Sequence, residues 1–232
     1  MEKFFILFGT TLLVLTACTG MSTLPDCVEK TERQPDKLVV YLKGAEPFWV
    51  SDFDYKFGYA ALKKIAHDES TVNVTDHYGV NLLAYAAANG DAAYVSRLLE
   101  QGFSLMSDNP DEEENPPVYL VRHPIELAIR FGHKEVLRQL LEHGYAPCCV
   151  VNCIATDRLD MLRLLESHGA VIADDAIPWQ APLICSARSV EMVRYLVAKG
   201  CSTRKALAYA ASHDSSEETG RLASLIKQAQ GH

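Results

Sequence analysis

Four stretches of the chain align on their last glycine: LLAYAAANGDAAYVSRLLEQG (82–102), PIELAIRFGHKEVLRQLLEHG (124–144), CVVNCIATDRLDMLRLLESHG (149–169) and PLICSARSVEMVRYLVAKG (182–200). Counting back from that glycine, the positions eight, seven and four residues earlier are apolar in every copy: Tyr94, Val95, Leu98; Val136, Leu137, Leu140; Met161, Leu162, Leu165; Met192, Val193, Leu196. Offsets of one, three and four residues mark one face of a helix. Gly102, Gly144, Gly169 and Gly200 stand where a helix ends and the backbone turns left-handed, preceded by Gln101, His143, His168 or Lys199. Each unit is therefore expected to be a helix, a short turn, a second helix and a glycine stop. The glycines are spaced by 42, 25 and 31 residues, a mean of about 33.

That period and the residues around it resemble the ankyrin repeat. Asp76-His77-Tyr78-Gly79-Val80-Asn81-Leu82-Leu83-Ala84-Tyr85-Ala86 is similar to the family's D-x-x-G-x-T-P-L-H-x-A opening, and Asn89-Gly90 and Gly132-His133 to its A-x-x-G-H turn. The T-P-L-H box survives only as Pro124-Ile125 and Pro182-Leu183. The third unit is short and has Asp157 where the turn glycine would stand, and the first interval is longer by about nine residues. The resemblance covers residues 57 to 211 and implies an all-α fold, a solenoid of stacked helix-turn-helix units with terminal caps. Another helix-pair solenoid is the alternative.

The flanks are read as caps that hide one apolar face and wet the other. Phe57 to Ala66 reads as a degenerate first helix pair. At the far end Leu207-Ala208-Tyr209-Ala210-Ala211 repeats Leu83-Ala84-Tyr85-Ala86-Ala87 letter for letter, ahead of a polar turn and Leu222 to Ile226. Lys37 to Leu42 and Pro47 to Val50 are apolar enough to pack on the first unit, with no form assigned. The expected organisation is a signal peptide (1–17), a lipidated N-terminus and flexible tether (18–36), an N-terminal segment with the degenerate repeat (37–75), the ankyrin repeats (76–202) and a capping repeat (203–232).

Phe4 to Thr16 follows Lys3, is strongly apolar and ends in small residues, the layout of a secretory signal. It is shorter than the roughly 20 residues a membrane-crossing helix needs. Leu15-Thr16-Ala17-Cys18 resembles a bacterial lipobox, which implies that Cys18 carries a diacylglycerol thioether and becomes the mature N-terminus. Several acyl chains hold far more tightly than one. Thr19 follows the cysteine where an Asp would favour inner-membrane retention, so the expected place is the outer membrane, facing the periplasm.

The 232 residues are 48% hydrophobic and 22% charged, enough for a sizeable core and too apolar for general disorder. A net charge of −8 with no long basic cluster argues against nucleic acid. No G-x-S-x-G elbow, H-E-x-x-H pair, phosphate loop or calcium loop is present. The chain is read as a non-enzyme without a cofactor or metal. His133, His143 and His168 fall at turns and helix ends as capping or solvated imidazoles. Six cysteines besides Cys18 leave disulfides open: Cys27, Cys148, Cys149, Cys153, Cys185 and Cys201. Cys148-Cys149-x3-Cys153, with His143 or His168, lacks the paired C-x2-C spacing of structural zinc.

The insertion Ser107 to Pro117 holds Asp108, Asp111, Glu112, Glu113 and Glu114, five carboxylates within seven residues. It reads either as a solvated finger or as a negative probe that steers a basic partner. Asp76, His77 and Tyr78, with Tyr119 and Trp179, are the residues of the neighbouring loop tips expected to meet a protein partner beside it. The ankyrin resemblance implies a protein-binding module, a monomer when unbound, touching the membrane only through its anchor. Similarity to ankyrin-type immunity lipoproteins of type VI secretion points to a phospholipase effector as partner; the alternative is an envelope or stress-related scaffold for another periplasmic protein.

Overall fold

The computed structural model describes residues 24–35, 37–44, 54–71, 73–103, 123–174, 181–213 and 215–231. It opens with a sheet. Strands β1 (Val28–Arg33), β2 (Leu38–Leu42) and β3 (Val74–Asp76) lie in the order β1-β2-β3, the first pair antiparallel and the second parallel. The all-α expectation is thereby overturned. Leu38-Val39-Val40-Tyr41-Leu42 is rich in the β-branched and aromatic side chains that suit a pleated surface, and Leu38, Val39, Val40 and Leu42 are buried. Strand β1 carried no such signal because it is the outer strand: only Val28 is buried, and Glu29 to Arg33 face solvent. Residues 28–33 are a strand, not part of a flexible tether.

The parallel step from β2 to β3 needs a crossover, and helix α1 (Tyr59–Asp68) supplies it. The stretch read as a degenerate helix pair is thus one helix followed by a strand. Leu62 and Ile65 of α1 join Val40, Leu42 and Val74 in the core.

Beyond the sheet the helices form two rows. One row holds α2 (Leu82–Asn89), α4 (Pro124–Phe131), α6 (Val150–Ala155), a 3-10 turn (Leu183–Ser186) and α9 (Thr203–His213). The other holds α3 (Ala92–Glu100), α5 (Lys134–Glu142), α7 (Leu159–Ser167), α8 (Val190–Ala198) and α10 (Ser216–Gln230). Along the first row each member packs on the next; in the second, α3 packs on α5, α5 on α7 and α8 on α10. Helix α8 is tied to α7 through Glu166, which accepts from Tyr195 Oη and Lys199 Nζ. All the apolar positions picked out by the glycine alignment are buried, from Tyr94 to Leu196. The stop glycines have φ between 77° at Gly102 and 97° at Gly169. The residue after each donates back into the helix, as Phe103 N does to Leu98 O at 3.0 Å, which satisfies carbonyls left open at a helix end.

Consecutive units are joined by the residue that caps the second helix of each pair. Asp91, ahead of α3, accepts from Tyr59 Oη (2.8 Å) and Lys63 Nζ (2.6 Å) on α1. His133, ahead of α5, donates from Nε2 to Ala88 O at 3.0 Å. Its ring lies so close beneath Gly90 that a Cβ there would stand 2.5 Å from it. Arg158, ahead of α7, repeats this under Gly132, its guanidinium 2.7 Å from where a Cβ would be. Ser189, ahead of α8, donates to Asp157 Oδ1 at 2.6 Å, and Asp157 itself takes the left-handed φ of 57° that glycine holds in the other turns.

The repeated LAYAA motif shows what position in the stack does. In α2 all five residues are at most slightly exposed, whereas in α9 only Ala210 of the five is buried. Helix α2 is covered by α1 and α4; α9 meets the 3-10 turn on one side and α10 on another, and ends the row.

Two alanine substitutions separate these constraints. Gly102 has φ 77° and open space around it, so Gly102→Ala should cost only the left-handed backbone, about 1–2 kcal/mol. Gly90→Ala must also displace the His133 ring, adding about 1 kcal/mol or more for the lost bond to Ala88 O. Urea unfolding of both variants checks the order; equal losses would mean that the ring contact contributes nothing.

Candidate interaction surface and cysteine cluster

The loop after β3 is built around Asp76. Its Oδ1 accepts from Tyr78 N (2.9 Å) and Val80 N (2.8 Å), and Oδ2 accepts from Tyr85 Oη (2.8 Å). Burial pushes the carboxyl above its ordinary range, with these three donors opposing the shift. At 1% exposure Asp76 cannot meet a partner; it shapes the loop. Gly79, at φ 78°, lets the chain turn back, and Asn81 caps α2 by accepting from Ala84 N at 2.8 Å.

The loop so fixed presents His77 and Tyr78, both half-buried. The His77 ring stacks on Tyr41 of β2, centroids 5.4 Å apart and planes 13° from parallel. Its Nδ1 accepts from Leu42 N at 3.4 Å, and the Tyr78 ring lies 4.0 Å from it. Lys30 Nζ sits 4.1 Å over Tyr41, whose hydroxyl donates to Glu32 at 3.0 Å. The surface is therefore shared between the sheet and the first helix pair. Sequence reading found His77 and Tyr78 and missed Lys30, Glu32 and Tyr41, because without the sheet nothing placed them nearby. The unassigned apolar run at 37–42 was the available signal. Cys18, Asp108, Asp111, Glu112, Glu113, Glu114, Tyr119 and Trp179 lie outside the described residues.

A second cluster lies between α4 and α6. His123 precedes α4, and its Nδ1 accepts from Ile125 N at 3.3 Å. Cys148 Sγ is 3.9 Å from that nitrogen and 3.3 Å from Cys149 Sγ. Cys149 has a left-handed φ of 66° immediately before α6. Cys153 is fully buried, and burial pushes its thiol up to about 12. The hydrogen bond from Cys149, together with His123, holds the Cys148 thiol well below its usual range against the effect of burial, while Cys149 is pushed up. The pair shares one proton most readily.

Glu126 on α4 is 9% exposed. Its Oε1 accepts from Asn152 Nδ2 at 3.4 Å, and Oε2 has no hydrogen-bond partner among the described residues. Burial raises its carboxyl from 4.5 to about 7, opposed by Arg130, His123 and Asn152. His123 and Glu126 were not singled out from sequence. The 25-residue interval between the second and third stop glycines was the available signal for His123, since it puts 123 and 148 at equal places in neighbouring units.

His143 and His168, considered beside the cysteines as zinc ligands, are elsewhere: each is exposed at a helix end, donating from Nδ1 to Gln139 O (2.8 Å) and Leu164 O (3.0 Å). Among the described residues no group of three or more His, Cys, Asp or Glu could hold a metal ion. The six described cysteines are all thiols. His133 is more than a solvated cap, since it binds one unit to the next.

No protein-family model, curated protein or solved structure matches the chain. Among the described residues no helix is long and apolar enough to cross a membrane.

Glu126 gives a pH prediction. Its folded pKa is raised, so between about pH 4.5 and 7 the folded chain keeps a proton that the unfolded chain releases, and stability falls as pH rises through that window. Glu126→Gln removes the ionisation. It should stabilise the protein by ~2–3 kcal/mol at pH 8 and by little at pH 4, read as the shift in urea midpoint. A difference independent of pH would contradict the assignment.

Proposed function

We propose that the chain is an ankyrin-type protein-binding module, tethered through Cys18 to the outer membrane and facing the periplasm, which acts by occluding another protein. The observation that supports this most is the partly exposed Tyr41–His77–Tyr78 cluster on a loop locked by a buried aspartate. Aromatic groups held rigid before contact lose little entropy on binding and carry much of an interface's energy. The stack's buried and half-buried polar side chains, by contrast, largely bind its own turns together.

The partner that best fits such a tethered, acidic chain is a secreted phospholipase that attacks the same membrane. Anchoring would raise the inhibitor's effective concentration where the lipase acts. The steering role of the acidic residues 108–114 belongs to the same proposal.

Coexpression with a phospholipase effector directed to the periplasm tests it. The chain should restore growth, and a variant with Tyr41, His77 and Tyr78 all changed to alanine should lose protection while keeping a cooperative thermal transition. Unimpeded killing in the presence of the wild-type chain, or full protection by a folded triple variant, would reject the reading.

A further inference from the structure

We propose that Cys148 and Cys149 form a reversible redox site, a vicinal dithiol that exchanges with a disulfide substrate and closes into a Cys148–Cys149 disulfide. The argument is independent of the partner proposed above.

Neighbouring side chains on an extended strand point to opposite sides. The left-handed φ of 66° at Cys149 goes with the opposite outcome here: the two sulfurs stand 3.3 Å apart on one side of the chain. A disulfide bond is about 2.05 Å long, so closure asks the sulfurs to approach by about 1 Å more, with strain in the peptide between them. Both residues are half-buried, whereas Cys153 and Cys201 are buried. His123 Nδ1, 3.9 Å from Cys148 Sγ, faces the sulfur that would attack. Glu126 on α4 and Cys153 on α6 border the pair, with Arg130 acting on Glu126 from the same helix. The imidazole beside Cys148 Sγ assigns Cys148 as the nucleophile and leaves Cys149 to resolve.

The chemistry balances as follows. The Cys148 thiolate attacks one sulfur of a substrate R–S–S–R; the S–S bond breaks and one R–S⁻ leaves. Cys149 then gives up its proton and attacks Cys148 Sγ in the mixed disulfide, expelling the second R–S⁻. Two electrons pass from the dithiol to the substrate, and the two protons of the original thiols end on the two released R–SH groups. The reverse path regenerates the dithiol. Adjacent Cα atoms are about 3.8 Å apart across a trans peptide, below the usual 4.4–6.8 Å span of a disulfide. The closed form should therefore be readily reopened by thiols.

The test uses the full reduced chain with oxidised glutathione, quenched in acid and mapped by mass spectrometry. Wild type should lose two hydrogens in the peptide holding Cys148 and Cys149, and recover them with excess reduced glutathione. Cys149→Ser should trap a glutathionyl adduct on Cys148, while Cys148→Ser should form an adduct about tenfold or more slowly. His123→Gln should move the pH midpoint of Cys148 alkylation by iodoacetamide upward. That alkylation in wild type at pH 6 should run about tenfold faster than in the urea-unfolded chain, a readout that does not depend on any variant folding. The proposal fails if the bridge formed includes Cys153 or another cysteine, if Cys148→Ser reacts as fast as wild type, or if folding gives Cys148 no gain in alkylation rate.

Discussion

The structure depends on one contact repeated along the stack: the residue that starts the second helix of each unit reaches back to the preceding element. Asp91, His133, Arg158 and Ser189 occupy this place, and they share no chemistry. A carboxylate, an imidazole, a guanidinium and a hydroxyl all do the same work because the geometry is set by the turn beside them. Where that turn has glycine, a ring or guanidinium can lie against bare backbone, as under Gly90 and Gly132. Where glycine is lost, at Asp157, the side chain itself becomes the acceptor. A helix pair of this size cannot bury its apolar face alone, so the contacts between units carry the stability of the array.

The first end of the array is closed by different means. Helix α1, the crossover of the mixed sheet, packs on α2, and the strand that ends at Asp76 delivers the loop bearing His77 and Tyr78. Fold and candidate surface are thus one construction. Tyr85 of α2 donates to the buried Asp76, so the first helix of the array also fixes the loop that could meet a partner. Toward the middle of the stack, where α4 meets α6, the same stacking brings His123 beside Cys148 and Glu126 beside Asn152. Burial in that half-dry seam raises the Glu126 carboxyl, and the hydrogen bond from Cys149, with His123 across the seam, depresses the Cys148 thiol.

The repeated helix faces were legible in sequence because their periodicity is a burial constraint repeated several times; Val95, Leu137, Leu162 and Val193 are each fully buried. The stop glycines were legible for the same reason, a left-handed φ that few other residues tolerate. The sheet was not. One edge strand buries only Val28, and the other, Val74–Asp76, is three residues long. Pairing between distant segments leaves little local trace. Asp76 was visible as part of a motif but misjudged as a surface residue, since nothing in its own stretch shows that Tyr85, nine positions on, turns back to it. Tyr41 and His123 were not picked out as site residues because each matters through a neighbour, 36 residues away in the case of Tyr41 and His77 and 25 in the case of His123 and Cys148.

The most direct measurement of the central claim is amide hydrogen exchange on a His133→Ala variant compared with wild type. If the reach-back contact holds neighbouring units together, protection should fall in the Ala86–Asp91 turn of the preceding unit as well as in α5, although the altered residue is more than 40 positions from that turn in sequence. Loss of protection confined to α5, with the earlier turn unchanged, would contradict the account.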